Sequence, residues 1–254
     1  MKPVSSKTSS EVIVVDVKDL PSKGLPYSVK TIELRCLTLG ELKYLSSSGL
    51  SEESLVEVYK KAIHNIDVNE LSWTDFLFLS THISLFTIDS QKWTITEICQ
   101  NRECGELFKN TINRETFFEF DDLNIPDYPI NVVIKGKELS FGIITVKSHM
   151  EYGEKIKDIE PHLQSVYSMA GMVLNMDTNE AFEFLKEIND PTDIELLQVI
   201  DEKLYHGVKP LKLKCTECGI ESSYSVDLEV STITPFRENQ RFITDRINFG
   251  KRFK

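Results

Sequence analysis

Two stretches, "CQNRECGELFKNTINRETFFEFDDL" (Cys99 to Leu123) and "CTECGIESSYSVDL" (Cys215 to Leu228), repeat one grammar at a distance of more than a hundred residues. Each has a cysteine, then Glu-Cys-Gly, then an alternating apolar run that closes on Asp-Leu. Period-two alternation is the pattern of a half-buried strand, so each cysteine pair is expected to sit beside β structure. Cys215-Thr-Glu-Cys218 turns tightly enough to bring two sulfurs to one side, and the glycine that follows lets the backbone curl away. Such a knuckle supplies two ligands. A closed tetrahedral site needs two more, and the other close pair is Cys99 with Cys104, whose four-residue gap is within the usual spacing. One structural zinc site built from Cys99, Cys104, Cys215 and Cys218 therefore accounts for every paired cysteine. Two rival readings are four unligated, partly buried thiols, and a redox C-x-x-C. The redox motif normally opens a helix, whereas "IESSYSVDL" reads as strand.

Outward from these pairs, the periodicity changes with position. "VIVVDV" is a short apolar run, and "LPSKGLPY" (Leu20 to Tyr27) carries two prolines and a glycine that demand a turn-rich loop. "TIELRCL" alternates as a strand. Thr38 with Glu41 forms a capping box for a helix over "TLGELKYL". Ser51 is expected to cap a long helix through "EESLVEVYKKAIHNI", with an apolar stripe running from Leu55 to Ile66. Ser72 is expected to cap "WTDFLFLSTHISLFTI", with Asp75 at the third helical position; this helix is apolar nearly all round and is expected to be central. From "KWTITEIC" to about Val146 the period is two, with a hairpin across Lys135-Gly136. Helices are expected again from about Glu151 to Leu204, the last one capped by Asp190, opened by Pro191 and closed by Gly207. "KPLKLKC" and "SSYSVDLEV" return to strand.

The fold class that follows is α+β: a helical N-terminal part, β segments with a zinc-ribbon-like four-cysteine site, and a second helical insert. The expected segments are 1–90 (strand plus helices), 91–150 (β, first cysteine pair), 151–207 (helical), 208–236 (β, second cysteine pair) and 237–254 (a basic, aromatic tail). Cys36, with no near partner, reads as a small core residue. His64 and His82 lack a cysteine or second histidine one turn away and read as packed or surface histidines.

A chain of 254 residues buries enough surface to fold without a metal, and 41% hydrophobic with 27% charged residues is ordinary for a globular protein. The first ten residues, rich in Ser and Lys, are expected to be disordered. The start "MKPVSSKTSSEVIVV" has no long apolar core or small-residue cleavage site, and no apolar run approaches membrane-spanning length. A reducing cytoplasm, where close cysteine pairs favour metal over disulfide, is the expected compartment. The net charge of −11 disfavours coating nucleic acid. From Arg237 to Lys254, however, six basic residues face two acidic ones, a net +4 that leaves −15 on the rest. In and just before this tail, Phe236, Arg241, Phe242, Arg246, Phe249, Arg252 and Phe253 are candidate docking residues toward an acidic neighbour or nucleic acid, the rival reading being a half-ordered, solvated tail. No P-loop, G-x-G-x-x-G, nucleophile elbow or H-E-x-x-H occurs, and acidic runs such as "FEFDD" and "DVNE" read as solvated edges. No small-molecule substrate is expected.

With "LPSKGLPY", "TIELRCLTLGELKYL", "LSWTDFLFLSTHIS" and the strand-associated knuckles followed by "SVDL" in that order, the chain resembles the small baseplate proteins of T-even-type contractile-tailed phages. That family holds a baseplate hub subunit and a hub assembly catalyst. It departs from the family where the central helix ends, "HISLFTIDSQ" here. The resemblance implies a non-enzymatic virion or assembly protein, made late, in the tail baseplate and in the host cytoplasm during assembly, docked on other hub or wedge proteins and not on a membrane. A zinc-ribbon regulator that binds nucleic acid is the alternative, and an enzyme with an unrecognised site a third reading.

Overall fold

The computed structural model describes residues 12–47, 51–87, 92–113, 123, 125–206, 209 and 211–224. Its architecture is α+β, with small antiparallel sheets and three separate hydrophobic cores.

In the N-terminal part, β1 (Ile13–Asp16) pairs with β2 (Thr31–Leu34). Helices α1 (Leu39–Ser47), α2 (Glu52–Tyr59) and α3 (Trp73–Thr87) pack around the strands. The expected caps form. Thr38 and Glu41 exchange hydrogen bonds across the first turn of α1, and Ser51 accepts from the Ser54 amide. Glu41 also receives both arms of the Arg35 guanidinium, at 2.7 and 2.9 Å. That fork, opposed by burial and helped by the Thr38 donors, holds the Glu41 carboxyl down to about 2. Because its folded value lies below its unfolded one, the stabilisation is present above about pH 4.5 and is lost as pH falls toward 2. Glu41→Gln is expected to cost about 1–2 kcal/mol at pH 7 and to flatten the acid limb of the stability curve, as read by urea midpoints from pH 7 to pH 3.

The apolar stripe from Leu55 to Ile66 does not stay helical. α2 stops at Tyr59, and Ile63–His64 form β3 against Leu34 and Glu33. Asn65 takes a left-handed conformation (φ 58°) and bonds the Glu33 amide and the Thr31 carbonyl through its side chain. Burying Ile63 at the sheet edge satisfies the same apolar pattern as another helical turn, so periodicity alone does not distinguish them. His64 is exposed on that strand, while His82 is buried on α3, edge-on to Phe78 at 4.3 Å between centroids. Cys36 is half-buried in the link after β2.

α3 is central, with Phe76, Leu77, Phe78, Leu79 and Ile83 buried. Its N-terminus is more elaborate than a simple capping box. Ser72 accepts from the Asp75 amide, but the Asp75 carboxylate, fully buried, turns instead to the "LPSKGLPY" loop. It accepts the Ser22 amide at 2.9 Å and the Tyr27 hydroxyl at 2.5 Å, and Tyr27 Oη in turn accepts the Ser72 amide at 2.8 Å.

The hairpin β6 (Ile130–Ile134) and β7 (Lys137–Phe141) turns through Lys135 and Gly136, both at positive φ, as a two-residue type I′ turn requires. Helices resume five residues earlier than the expected Glu151: α4 spans Val146–Lys155, capped by Thr145. The apolar run "FGIITV" obscures that start, because Val146 is buried in the N-terminal core and so looks like a strand's end. α5 (Gln164–Ala170), α6 (Thr178–Leu185) and α7 (Pro191–Leu204) follow, α7 with the Asp190 cap and Pro191 at its first position. They cover the hairpin to make the second core. Gly207, "FEFDD", the first ten residues and the whole tail with Phe236, Arg241, Phe242, Arg246, Phe249, Arg252 and Phe253 lie outside the described residues.

Candidate metal centre

Each cysteine pair closes a β-hairpin. β4 (Lys92–Ile98) pairs with β5 (Leu107–Asn113) around Cys99 and Cys104; β8 (Leu211–Lys214) pairs with β9 (Glu221–Tyr224) around Cys215 and Cys218. The two turns are built alike. The amide of the first cysteine donates to the carbonyl just beyond the glycine, Cys99 to Glu106 and Cys215 to Ile220. Gly105 (φ 59°) and Gly219 (φ 73°) occupy the left-handed position that lets the chain double back after the second cysteine. The two additional residues of the first knuckle are absorbed by Asn101, whose carbonyl accepts the Cys104 and Gly105 amides and whose side chain accepts the Glu103 amide.

The hairpins are joined by a third core of Cys99, Phe108, Leu213, Cys215 and Tyr224, with Cys104 packed against it. Phe108 meets Tyr224 edge-on at 5.8 Å. Polar ties run across the same seam: Tyr224 Oη donates to the Ile98 carbonyl, Gln100 to the Ser223 carbonyl and Asn110 to the Lys214 carbonyl. These contacts bring all four sulfurs within 4.8 Å of one another, with Cys99 and Cys218 at 3.6 Å and Cys104 and Cys215 at 3.9 Å. Four sulfurs about 2.3 Å from one tetrahedral ion stand about 3.8 Å apart, so the cluster has the dimensions of a closed metal–thiolate site.

Backbone donors point at the sulfurs. Cys218 is lowered to about 7, chiefly because the Ile220 amide donates to its sulfur. The Asn101 amide does the same for Cys99 and the Glu106 amide for Cys104, each two residues beyond its cysteine. Against that amide donation, desolvation and the neighbouring thiols still push Cys99 up to about 12. A cation between the sulfurs would favour their thiolate forms. Cys99 and Cys215 are buried, Cys104 is half-buried and Cys218 is exposed.

The second knuckle runs into β9 and not into a helix, unlike a dithiol redox motif. His64, His82 and Cys36 take no part in the cluster. The amide donors from Asn101, Glu106 and Ile220 were not foreseen from the residue types, although the glycine after each second cysteine is the visible trace of the turn that aims them. Among the described residues no helix is long and apolar enough to cross a membrane. The chain matches no protein-family model, no curated protein and no solved structure.

Proposed function

We propose that this chain is a structural or assembly component of a contractile-tail phage baseplate, of the hub or of the machinery that assembles it, and that it works by docking on other hub or wedge proteins. In this reading the ion is zinc and its role is structural. Four cysteine ligands fill the tetrahedral shell and leave no position for water or substrate. The observation that carries the proposal is the cluster itself: it ties Cys99 and Cys104 to Cys215 and Cys218 across more than a hundred residues, which gives a rigid β module for presenting a docking surface. The order of the "LPSKGLPY", capped-helix and knuckle motifs supports the baseplate assignment, and the "LPSKGLPY" loop locks onto the N-terminus of α3. The protein then belongs in the virion baseplate, and in the host cytoplasm during assembly.

The nucleic-acid reading has the knuckles and the basic tail in its favour. The hairpins themselves do not add to it: residues 92–113 and 211–224 carry five basic residues (Lys92, Arg102, Lys109, Lys212, Lys214) and five acidic ones (Glu97, Glu103, Glu106, Glu217, Glu221). Phosphate binding needs a basic excess. Mass spectrometry of purified tailed particles and of tagged complexes from infected cells separates the two readings. Co-purification with hub or wedge proteins is expected. Retention on DNA that collapses steeply with salt, without any tail protein, would overturn the proposal.

A further inference from the structure

α7 leaves one side of itself uncovered. Leu197, Ile200 and Leu204 turn into the second core. On the opposite side Glu195, Val199 and Glu202 recur at i, i+4 and i+7, with Ile194, Gln198 and Asp201 in the row beside them, and all six are exposed. Ile194 is 41% and Val199 40% exposed, and Tyr205, just beyond the last helical residue, is 71% exposed. Single exposed apolar side chains need no cover, but three on one face among carboxylates offer a surface to something both apolar and cationic.

Charge points the same way. The stretch from Asp177 to Lys203, α6 and α7 with their caps, has nine acidic residues against two basic ones, Lys186 and Lys203. That net −7 is nearly half of the −15 carried by residues 1–236. Part of it is engaged within the fold: Asp177 and Asp190 cap the two helices, Glu180 lies 3.0 Å from Lys137, and Glu183 lies 2.5 Å from Lys186. Glu195, Asp201 and Glu202 make no ion pair among the described residues.

The chain's own C-terminal segment has the complementary composition: six basic residues against two acidic ones over 237–254, with Phe242, Phe249 and Phe253 among them. We propose that the outer face of α7 is the docking site of residues 237–254 of the same chain. The basic side chains meet Glu195, Asp201 and Glu202, and the phenylalanines meet Ile194, Val199 and Tyr205. Reach permits this within one molecule. Residues 225–236 separate the end of β9 from Arg237, up to about 40 Å of chain, more than twice the radius of gyration of about 18 Å for a domain of this length. A tether that short holds the segment at an effective concentration on the order of mM, so contacts that are weak one by one suffice, and a second copy in dilute solution does not compete. While docked, the segment is withheld from nucleic acid and from other acidic surfaces.

The test is limited trypsin digestion of the full-length protein, with cleavage at Arg237, Arg241 and Arg246 followed by intact mass spectrometry. Glu195→Gln with Glu202→Gln removes two exposed charges and should speed cleavage about fivefold at low salt. Raising salt from about 0.05 to about 0.5 M should speed the parent by a similar factor and the double variant much less. Ile194→Ser with Val199→Ser, which keeps every charge, should speed cleavage at both salt concentrations. Asp158→Asn with Glu160→Gln, an equal loss of exposed charge away from α7, should leave the parent's rate unchanged. Parent and α7 variants cut at one rate, or the same gain from the 158 and 160 pair, would overturn the proposal. So would protection that grows with protein concentration alongside a dimer's mass, which would assign the face to the segment of a second copy.

Discussion

Replacing Cys215 and Cys218 together by serine is expected to remove one bound zinc per chain and to melt the paired hairpins while the two larger cores stay folded. The reason lies in the size of the third core. The hairpins cover 92–113 and 211–224, together fewer than the about 40 residues below which a folding unit usually needs a metal, disulfides or a partner. Apart from the cysteines, the buried side chains among the described residues there are Phe108, Leu213 and Tyr224. On the proposed reading a bound zinc supplies most of the module's stability, as structural zinc in small peptides contributes on the order of 10 kcal/mol. Metal analysis of the parent should give one zinc per chain and that of the variant none. Hydrogen exchange at the amides of Phe108, Leu213 and Tyr224 should collapse in the variant and, reversibly, in chelator-treated parent. The helical cores should keep their protection, because their contacts do not pass through the sulfurs. A metal-free parent whose stability equals that of the variant would refute the site.

Much of this module was legible because thiolate coordination leaves a compact trace: two cysteine pairs, each followed by glycine and an alternating run. Spacing also showed that one knuckle alone is incomplete. It did not show the seam that brings the pairs together, since Phe108, Tyr224, Gln100 and Asn110 are ordinary strand residues until the hairpins meet. Caps were readable for a similar reason. Thr38, Ser51, Ser72 and Asp190 act on amides two or three residues away, so the local sequence contains both partners. The misread elements are those decided at a distance. Ile63 leaves the helical pattern because β2 offers it a strand partner, and Val146 starts a helix while filling a core built from residues far earlier in the chain.

Asp75 was visible as an N-terminal helix residue, but its actual partners make it the second site of large effect. Its carboxylate is wholly buried and accepts from the Ser22 amide and the Tyr27 hydroxyl, while Tyr27 accepts from the Ser72 amide. Truncation in Asp75→Ala leaves two buried donors without an acceptor, at about 1–3 kcal/mol each, so a total loss of about 3–5 kcal/mol is expected. Asp75→Asn keeps the shape and one accepting oxygen and should lose about half as much. Tyr27→Phe removes both a donor and an acceptor, and the double variant with Asp75→Ala should fall short of the sum by about 1–2 kcal/mol because the two share a network. The network also sets an alkaline limit. Burial, then the Asp75 charge and hydrogen bond, raise Tyr27 well above the ordinary tyrosine value; burial raises Tyr59 likewise. Above about pH 10 the unfolded chain releases these protons and the native chain keeps them, so stability is full below pH 10 and drops as pH rises, by about 1.4 kcal/mol per pH unit for each tyrosine. Urea midpoints at pH 9, 10 and 11 should show that fall in the parent and a shallower one in Tyr27→Phe. If Asp75→Ala lies within 1 kcal/mol of the parent, or if the alkaline slope is the same with and without the Tyr27 hydroxyl, then this buried pair does not hold the loop to the helix.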